Sequence, residues 1–355
     1  MRRHVGRLAI VGFTGESAPV ELRDMARRFD LGGVIYFARN IVEPRQVREL
    51  SREIAAMAGA WPFWTSVDQE GGRVARLRRP FTEWPPMRTL GRSGDAALAR
   101  AFAAALAAEL RAVGINLDYA PVLDVDTNPK NPVIGDRALS DSAGEVARLG
   151  RAIIETLQAG GIAACGKHFP GHGDTSVDSH HDLPVVEHSP DRLEAVELLP
   201  FREAVAAGVA CIMTAHVLLP ALDEAQPASL SHAVIAGLLK GTLGFPGVVM
   251  SDDLGMKAVA ARMPLPETTV AALEAGCDIV LLCNSTPDEQ VEALEAVIAA
   301  LESGRLPVSR IEDAWARQER AKAALRHASP IDPNAMARIG CDAHQAVARA
   351  MAAWL

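Results

Sequence analysis

Short apolar runs alternate along the chain with longer stretches in which apolar residues recur at helical spacing. The short runs are almost continuously apolar, as β-strands are when both faces of their sheet are covered. The longer stretches, such as 95–114 and 141–161, are rich in Ala and Leu and predict amphipathic helices. The predicted strands are 8–13, 33–37, 63–68, 115–120, 162–169, 211–216, 248–253 and 278–283.

Strands that alternate with helices predict a parallel α/β architecture with right-handed crossovers. Eight such units favour a closed (β/α)8 barrel of the TIM type. An open doubly wound sheet is the structural alternative, but no Gly-x-Gly-x-x-Gly follows the first strand, so the sequence does not indicate a nucleotide site. We therefore expect residues 1–355 to form a single domain, with a barrel over about 7–290 and C-terminal helices over about 291–355.

Polar residues stand where most of the predicted strands end, which is where a barrel of this kind carries its active site. A single charged residue there could simply mark a loop boundary, but six neighbouring strand ends favour one functional rim. The residues are Asp68, Asp118, Asp124, Lys167, His168, His216, Asp252, Asp253 and Asn284.

The segment "GKHFPGHGDTSVDSHHDLP", residues 166–184, follows the fifth predicted strand and is unusually rich in histidine. His168 and His172 stand four residues apart, a spacing that binds zinc when both lie on one helix face. Pro170 and the flanking glycines make that helix unfavourable, and no cysteine pair supports a metal site, so we expect neither metal nor cofactor. His172, His181 and His188 are interpreted as structural histidines.

Asp178 and His180 lie two residues apart in the same loop and suggest proton transfer instead. A carboxylate next to an imidazole fixes its tautomer and raises the basicity of the distal nitrogen. Asp252, across the predicted rim, is then a candidate nucleophile or electrostatic stabiliser. A proton donor facing a carboxylate is the minimum for retaining glycoside cleavage.

The composition fits a globular protein, with 49% hydrophobic and 23% charged residues. The net charge of −8 argues against a nucleic-acid partner, which usually requires a basic surface. Five scattered cysteines suggest buried thiols in a reducing compartment. No apolar stretch is long enough to span a bilayer, so we expect a cytoplasmic protein without a membrane partner. The sequence does not indicate an oligomeric state.

Five segments together resemble glycoside hydrolase family 3, and most closely its bacterial β-N-acetylglucosaminidase branch. They are "VDQEGGRVARL", "GINLDYAPVLDV", "IGDRALS", "KHFPGHGDTSVDSHHDLP" and "GVVMSDDLGMKA", in matching order between about residues 7 and 290. The resemblance implies a (β/α)8 barrel and a cytoplasmic enzyme of peptidoglycan recycling that releases N-acetylglucosamine from muropeptides, so that its expected partner is a small-molecule carbohydrate substrate. The chain departs from the family pattern at Ala138-Leu139, where Ser-Phe is expected, and at His181.

The resemblance also implies a role for each site residue. Asp252 corresponds to the nucleophile, and His180, oriented by Asp178, to the general acid/base. Three alternatives remain: a phosphorylase, another β-glycosidase of the family and a non-catalytic sugar-binding barrel. His180 is compatible with a phosphorylase, because an imidazole repels phosphate less than a carboxylate does. The implied sugar-binding residues are Asp68, Arg76, Arg137, Lys167 and His168.

Overall fold

A computed structural model describes residues 2–59, 61–176, 182–325 and 334–355. Eight of its strands form one closed, entirely parallel barrel, and two more form a small antiparallel hairpin. All eight predicted strands are present within the barrel. The barrel strands are β1 (Ala9–Val11), β2 (Gly33–Tyr36), β3 (Trp64–Val67), β6 (Leu117–Asp118), β7 (Ala163–Phe169), β8 (Cys211–Thr214), β9 (Val248–Asp253) and β10 (Ile279–Leu282), and the hairpin strands are β4 (Gln69–Gly71) and β5 (Val74–Ala75).

Each barrel strand pairs with the next barrel strand in sequence, and the first strand pairs with the last. Ile10 of β1 lies beside Gly33 of β2 on one side and Leu281 of β10 on the other, which closes the sheet. The predicted (β/α)8 barrel is therefore confirmed. The assignment of residues 1–355 to one domain stays a prediction.

Helices surround the barrel and cover the outer faces of its strands. In α5, for example, Val146, Leu149 and Ile153 recur at helical spacing and are buried. Short 3₁₀ turns join several elements. The helices are α1 (Val20–Phe29), α2 (Pro44–Met57), α3 (Arg88–Ser93), α4 (Ala96–Ala112), α5 (Ala143–Ala159), α6 (Pro190–Arg192), α7 (Leu199–Ala206), α8 (Lys257–Ala260), α9 (Leu265–Ala275), α10 (Pro287–Glu302), α11 (Val308–Leu325) and α12 (Asp342–Ala352), with π-helical segments at Leu193–Glu197 and Ala233–Thr242.

Alternate residues of the strands point into the barrel and form a second apolar core, which includes Ile10, Trp64 and Met213. Helix α11 crosses the N-terminal end of the barrel. There Lys322 Nζ donates to the Pro62 carbonyl at 2.6 Å and lies 4.9 Å from the centre of the Trp64 ring. The N-terminal end is thus covered by side chains, whereas the C-terminal end carries a cavity.

The structure differs from the predicted elements in two details, the length of the fourth strand and an additional hairpin. The fourth predicted strand, 115–120, is reduced to Leu117–Asp118, although the backbones of Asn116 and Tyr119 still donate to β3. The β4–β5 hairpin was not predicted; its turn uses Gly71 and Gly72, both at positive φ. All five cysteines are free thiols, and four of them are buried. No helix within the described ranges is long and apolar enough to cross a membrane.

Candidate active site

A cavity of about 280 Å³ opens at the C-terminal ends of the barrel strands. That volume is near the lower end of the range for small-molecule pockets and suits a ligand of about one ring. Most of the predicted site residues that the structure describes line this cavity. Its polar lining is formed by Asp68, Arg73, Arg76, Tyr119, Arg137, Lys167, His168, His172, Asp252, Asp253 and Asn284.

Asp252 and Asp253 end strand β9 and have different surroundings, because successive side chains of a strand point in opposite directions. Asp252 faces the cavity, and its Oδ1 accepts a hydrogen bond of 2.8 Å from the Asp253 backbone N–H. The Asp253 carboxylate accepts hydrogen bonds from the Cys283 backbone at 3.0 Å and from the Asn284 amide at 2.9 Å. Asp253 thus joins β9 to β10, whereas the Asp252 carboxylate faces the cavity.

Asp68 lies between two cations at the end of β3. Lys167 Nζ donates to its Oδ1 at 2.8 Å, and Arg76 Nη2 lies 3.5 Å from its Oδ2. A carboxylate held in this way presents acceptors for paired sugar hydroxyls, while the cations keep further N–H groups for donation. The structure therefore brings three of the predicted sugar-binding residues together.

Glu70, two residues beyond Asp68, was not identified from the sequence. Its carboxylate accepts two hydrogen bonds from Arg137, at 2.9 Å to Nε and 2.8 Å to Nη2, and its Oε1 lies 2.6 Å from Lys167 Nζ. A usable signal was present, since alternation along "VDQEGG" directs Asp68 and Glu70 to one side and Gln69 to the other. Gln69 instead forms two side-chain hydrogen bonds with the backbone of Leu77, just beyond β5.

These contacts shift the pKa values of the buried charged groups. Burial alone raises the pKa of Glu70, but Arg137 and Lys167 outweigh it and hold that pKa well below its usual value. Burial lowers the pKa of Lys167, whereas Asp68 and Glu70 raise it, and the net effect is a pKa above the ordinary value. Both groups therefore stay charged across the neutral range.

His168 follows Lys167 at the end of β7 and is oriented by Asp124. Its Nδ1 lies 2.7 Å from Asp124 Oδ2, which places a hydrogen on Nδ1 and turns the distal nitrogen away from this carboxylate. Asp124 also accepts a hydrogen bond of 2.7 Å from the His172 backbone. His172 Nδ1 lies 2.7 Å from Thr175 Oγ1 within the loop. The same carboxylate therefore supports both the ligand-facing histidine and the start of the loop.

The remaining expectations have three different outcomes. Asp178, His180 and His181 lie outside the described residues. His216 follows β8 at the predicted end of the barrel but is not among the cavity-lining residues: its ring is buried between Ser229 Oγ at 2.6 Å and the Asp253 carbonyl at 3.0 Å. The departures Ala138 and Leu139, which directly follow Arg137, are buried and are not among the cavity-lining residues. Within the described ranges, no group of three or more His, Cys, Asp or Glu side chains is arranged to hold a metal ion.

Comparison with known proteins agrees with this architecture. Residues 1–321 match the family described as Glycosyl hydrolase family 3 N terminal domain. A β-hexosaminidase from Thiobacillus denitrificans is 42% identical over 306 residues, which cover 84% of this chain and 80% of that protein.

Solved structures provide the same match in three dimensions. A glycoside hydrolase family 3 β-N-acetylglucosaminidase from Paenibacillus sp. superposes with a TM-score of 0.95 at 42% identity and covers 100% of this chain and 68% of that one. NagZ from Neisseria gonorrhoeae, in complex with N-trifluoroacetyl-D-glucosamine, superposes with a TM-score of 0.82 at 32% identity and covers 99% of both chains. The present chain belongs to glycosyl hydrolase family 3 and is a glycoside hydrolase.

Proposed function

We propose that this protein is a retaining β-N-acetylglucosaminidase that acts through a covalent intermediate on Asp252. The observation that carries the proposal is the position of Asp252 in the same cavity as the ion-paired Asp68 and Lys167. A single ring held by these groups presents its anomeric carbon to a carboxylate, which is what a retaining mechanism requires. The β-hexosaminidases among its relatives support the reaction class.

In this proposal the cations and Asp68 recognise the sugar. Asp68 accepts hydroxyl hydrogen bonds, and Lys167, Arg76 and Arg137 donate to hydroxyls and to the acetamido oxygen. His168, fixed by Asp124, contributes its distal nitrogen. The relative that binds N-trifluoroacetyl-D-glucosamine supports an amino sugar as the ligand.

His180, oriented by Asp178, is proposed as general acid in the first step and general base in the second. The loop that carries this pair leaves β7 beside the cavity, and His172 lies in the cavity wall. An imidazole next to a carboxylate has the proton affinity that both steps need. We further propose a cytoplasmic location and muropeptides as the natural substrates, with neither nucleic acid nor membrane as partner.

One assay tests this function directly. We expect hydrolysis of an aryl N-acetyl-β-glucosaminide, with initial release of the β-anomer, and much slower hydrolysis of the matching β-glucoside. Addition of inorganic phosphate distinguishes the phosphorylase alternative, which would yield N-acetylglucosamine 1-phosphate. Release of the α-anomer first, or equal rates on the two sugars, would contradict the proposal.

A further inference from the structure

Glu70 pairs with two cations at the cavity, yet it lies behind the lining residues. Its side chain is 1% exposed, and its two oxygens accept three short contacts from Arg137 and Lys167. Both of those cations line the cavity in front of it. Glu70 therefore reaches a ligand only through its partners.

The charge of these two cations must be balanced by the protein. A lysine and an arginine buried without counter-charges are strongly unfavourable. Asp68 neutralises part of this charge, but it is already shared between Lys167 and Arg76. A neutral amino sugar brings hydroxyls and an amide to the cavity and no anion, and Glu70 is a carboxylate that contacts both cations directly.

The same geometry determines which other ligands the cavity rejects. The guanidinium fork of Arg137 matches a carboxylate or a phosphate in two-point hydrogen bonding, and Glu70 already occupies that fork. A small inorganic anion that entered the cavity would find both cations already neutralised.

We propose that Glu70 is a positioning residue that holds Lys167 and Arg137 at the sugar pocket and, by neutralising them, excludes phosphate and similar anions from it. This inference rests on the proposed function only in taking the ligand to be a neutral sugar. It makes Glu70 a determinant of both sugar affinity and selectivity against anions.

Replacement of Glu70 by Gln tests both parts, since it removes the charge and keeps the volume. With the aryl N-acetyl-β-glucosaminide, we expect Glu70→Gln to raise KM about tenfold or more and to lower kcat less. The reason is that the lost sugar contacts stabilise the bound substrate and the transition state to a similar extent. Inorganic phosphate should then inhibit competitively, with an inhibition constant at least about tenfold below that of the parent, as expected for a hydrogen bond to a charged group. Glu70→Asp keeps the charge, so it should not become sensitive to phosphate. Its shorter side chain positions the two cations less well, so it should still raise KM.

Thermal unfolding gives a readout that does not depend on activity. Phosphate should raise the Tm of Glu70→Gln more than that of the parent, because a ligand that binds only the folded state stabilises it. Asp278→Asn is the matched control: it removes another buried carboxylate that binds one lysine and one arginine, and it should show only the general salt effect.

The outcomes separate cleanly. A folded Glu70→Gln protein with the parent KM, or with the phosphate response of Asp278→Asn, overturns the proposal. If Glu70→Gln does not fold, Glu70→Asp decides, and a parent-like KM there overturns it. Absence of hydrolysis by the parent protein would count against the proposed function alone, since the phosphate response is also measured by unfolding.

Discussion

Two buried carboxylates at opposite ends of the barrel each bind one lysine and one arginine. At the C-terminal end, Glu70 binds Lys167 and Arg137, which line the cavity. At the N-terminal end, Asp278 binds Lys240 at 2.7 Å and also pairs with Arg310. The chemistry of the two clusters is nearly the same, so their different surroundings decide what each one does.

The lower cluster, formed by Asp278, Lys240 and Arg310 at the N-terminal end of the barrel, joins secondary-structure elements. Asp278 precedes β10 and accepts a hydrogen bond of 2.8 Å from the Val249 backbone of β9, while Lys240 and Arg310 come from the Ala233–Thr242 segment and α11. Its two cations therefore pair with carboxylates of the protein. In the upper cluster, at the C-terminal end, Lys167 and Arg137 pair with Glu70 and also line the cavity. They therefore keep N–H donors for a ligand.

The pKa shifts of the two lysines reflect the same difference. Burial lowers the pKa of Lys240, Asp278 raises it, and the neighbouring arginines lower it again, so that it falls below its ordinary value. Lys167 faces two carboxylates, and its pKa lies above the ordinary value despite burial. The C-terminal end of such a barrel generally serves activity and the N-terminal end stability, and the two clusters fit that division.

The largest expected effect separates the two ends by activity. Asp252→Asn should lower kcat by about 10⁴-fold or more while sugar binding persists, because a nucleophile acts at the reacting centre. Asp278→Asn should leave kcat and KM near the parent values and lower the free energy of unfolding by about 3–5 kcal/mol, the cost of breaking a buried ion pair. Steady-state kinetics and urea unfolding measure the two quantities. A loss of activity of similar size in both variants, each folded, would remove the distinction.

The next effect depends on the leaving group. His180→Ala should slow hydrolysis of sugar aglycones by ~10²–10⁴-fold, the usual range for general acid catalysis. Glycosylation by an aryl donor of low pKa should be largely spared, because that group departs without a proton. The second step then becomes slow, so a burst should appear, and azide should relieve it. Asp178→Ala should show the same pattern more mildly.

Asp278→Asn is the control for this leaving-group effect, since it should respond equally to both donors. Equal slowing of glycosylation for good and poor leaving groups in His180→Ala, without azide rescue, would remove His180 from the mechanism.

A smaller effect separates the two arginines. Arg137→Met should raise KM for the aryl substrate by about 10–100-fold, as expected for the loss of a charged hydrogen-bond donor. Arg310→Met should leave KM unchanged and reduce stability, because its guanidinium pairs with Asp278 and Asp313 on protein elements. A higher KM in Arg310→Met would show that the lower cluster also influences the sugar pocket.

The smallest effect is a pH dependence of stability that arises from His172, at the C-terminal end of the barrel. Burial and the nearby His168 lower the pKa of His172 to about 4, from an ordinary value of 6.5. As the pH falls from 6.5 towards 4, the unfolded chain takes up a proton that the folded protein does not, so stability declines by up to about 1.4 kcal/mol per pH unit. His172→Gln should flatten this decline in urea unfolding at pH 7, 6 and 5. An unchanged slope would show that His172 titrates normally in the folded state.

The sequence predicts the barrel well, because eight apolar runs and the helices between them are strong local signals. It predicts Asp68, Lys167 and Asp252 at one rim for the same reason, since strand ends meet there. Strand alternation places Glu70 on the side of Asp68, but its pairing with the distant Arg137 is a tertiary contact, as is the burial of His216 against Ser229. Burial of a polar side chain against remote partners has no local pattern in one sequence.

In the proposed mechanism, Asp252 becomes covalently attached to the sugar. The most direct test is the intact mass of His180→Ala protein, quenched during reaction with an aryl N-acetyl-β-glucosaminide of low leaving-group pKa. We expect a mass increase of one N-acetylhexosaminyl unit, located by peptide mapping on the peptide that contains Asp252, and its loss in the His180→Ala/Asp252→Asn double variant. An adduct on another residue, or turnover without any adduct, would contradict it.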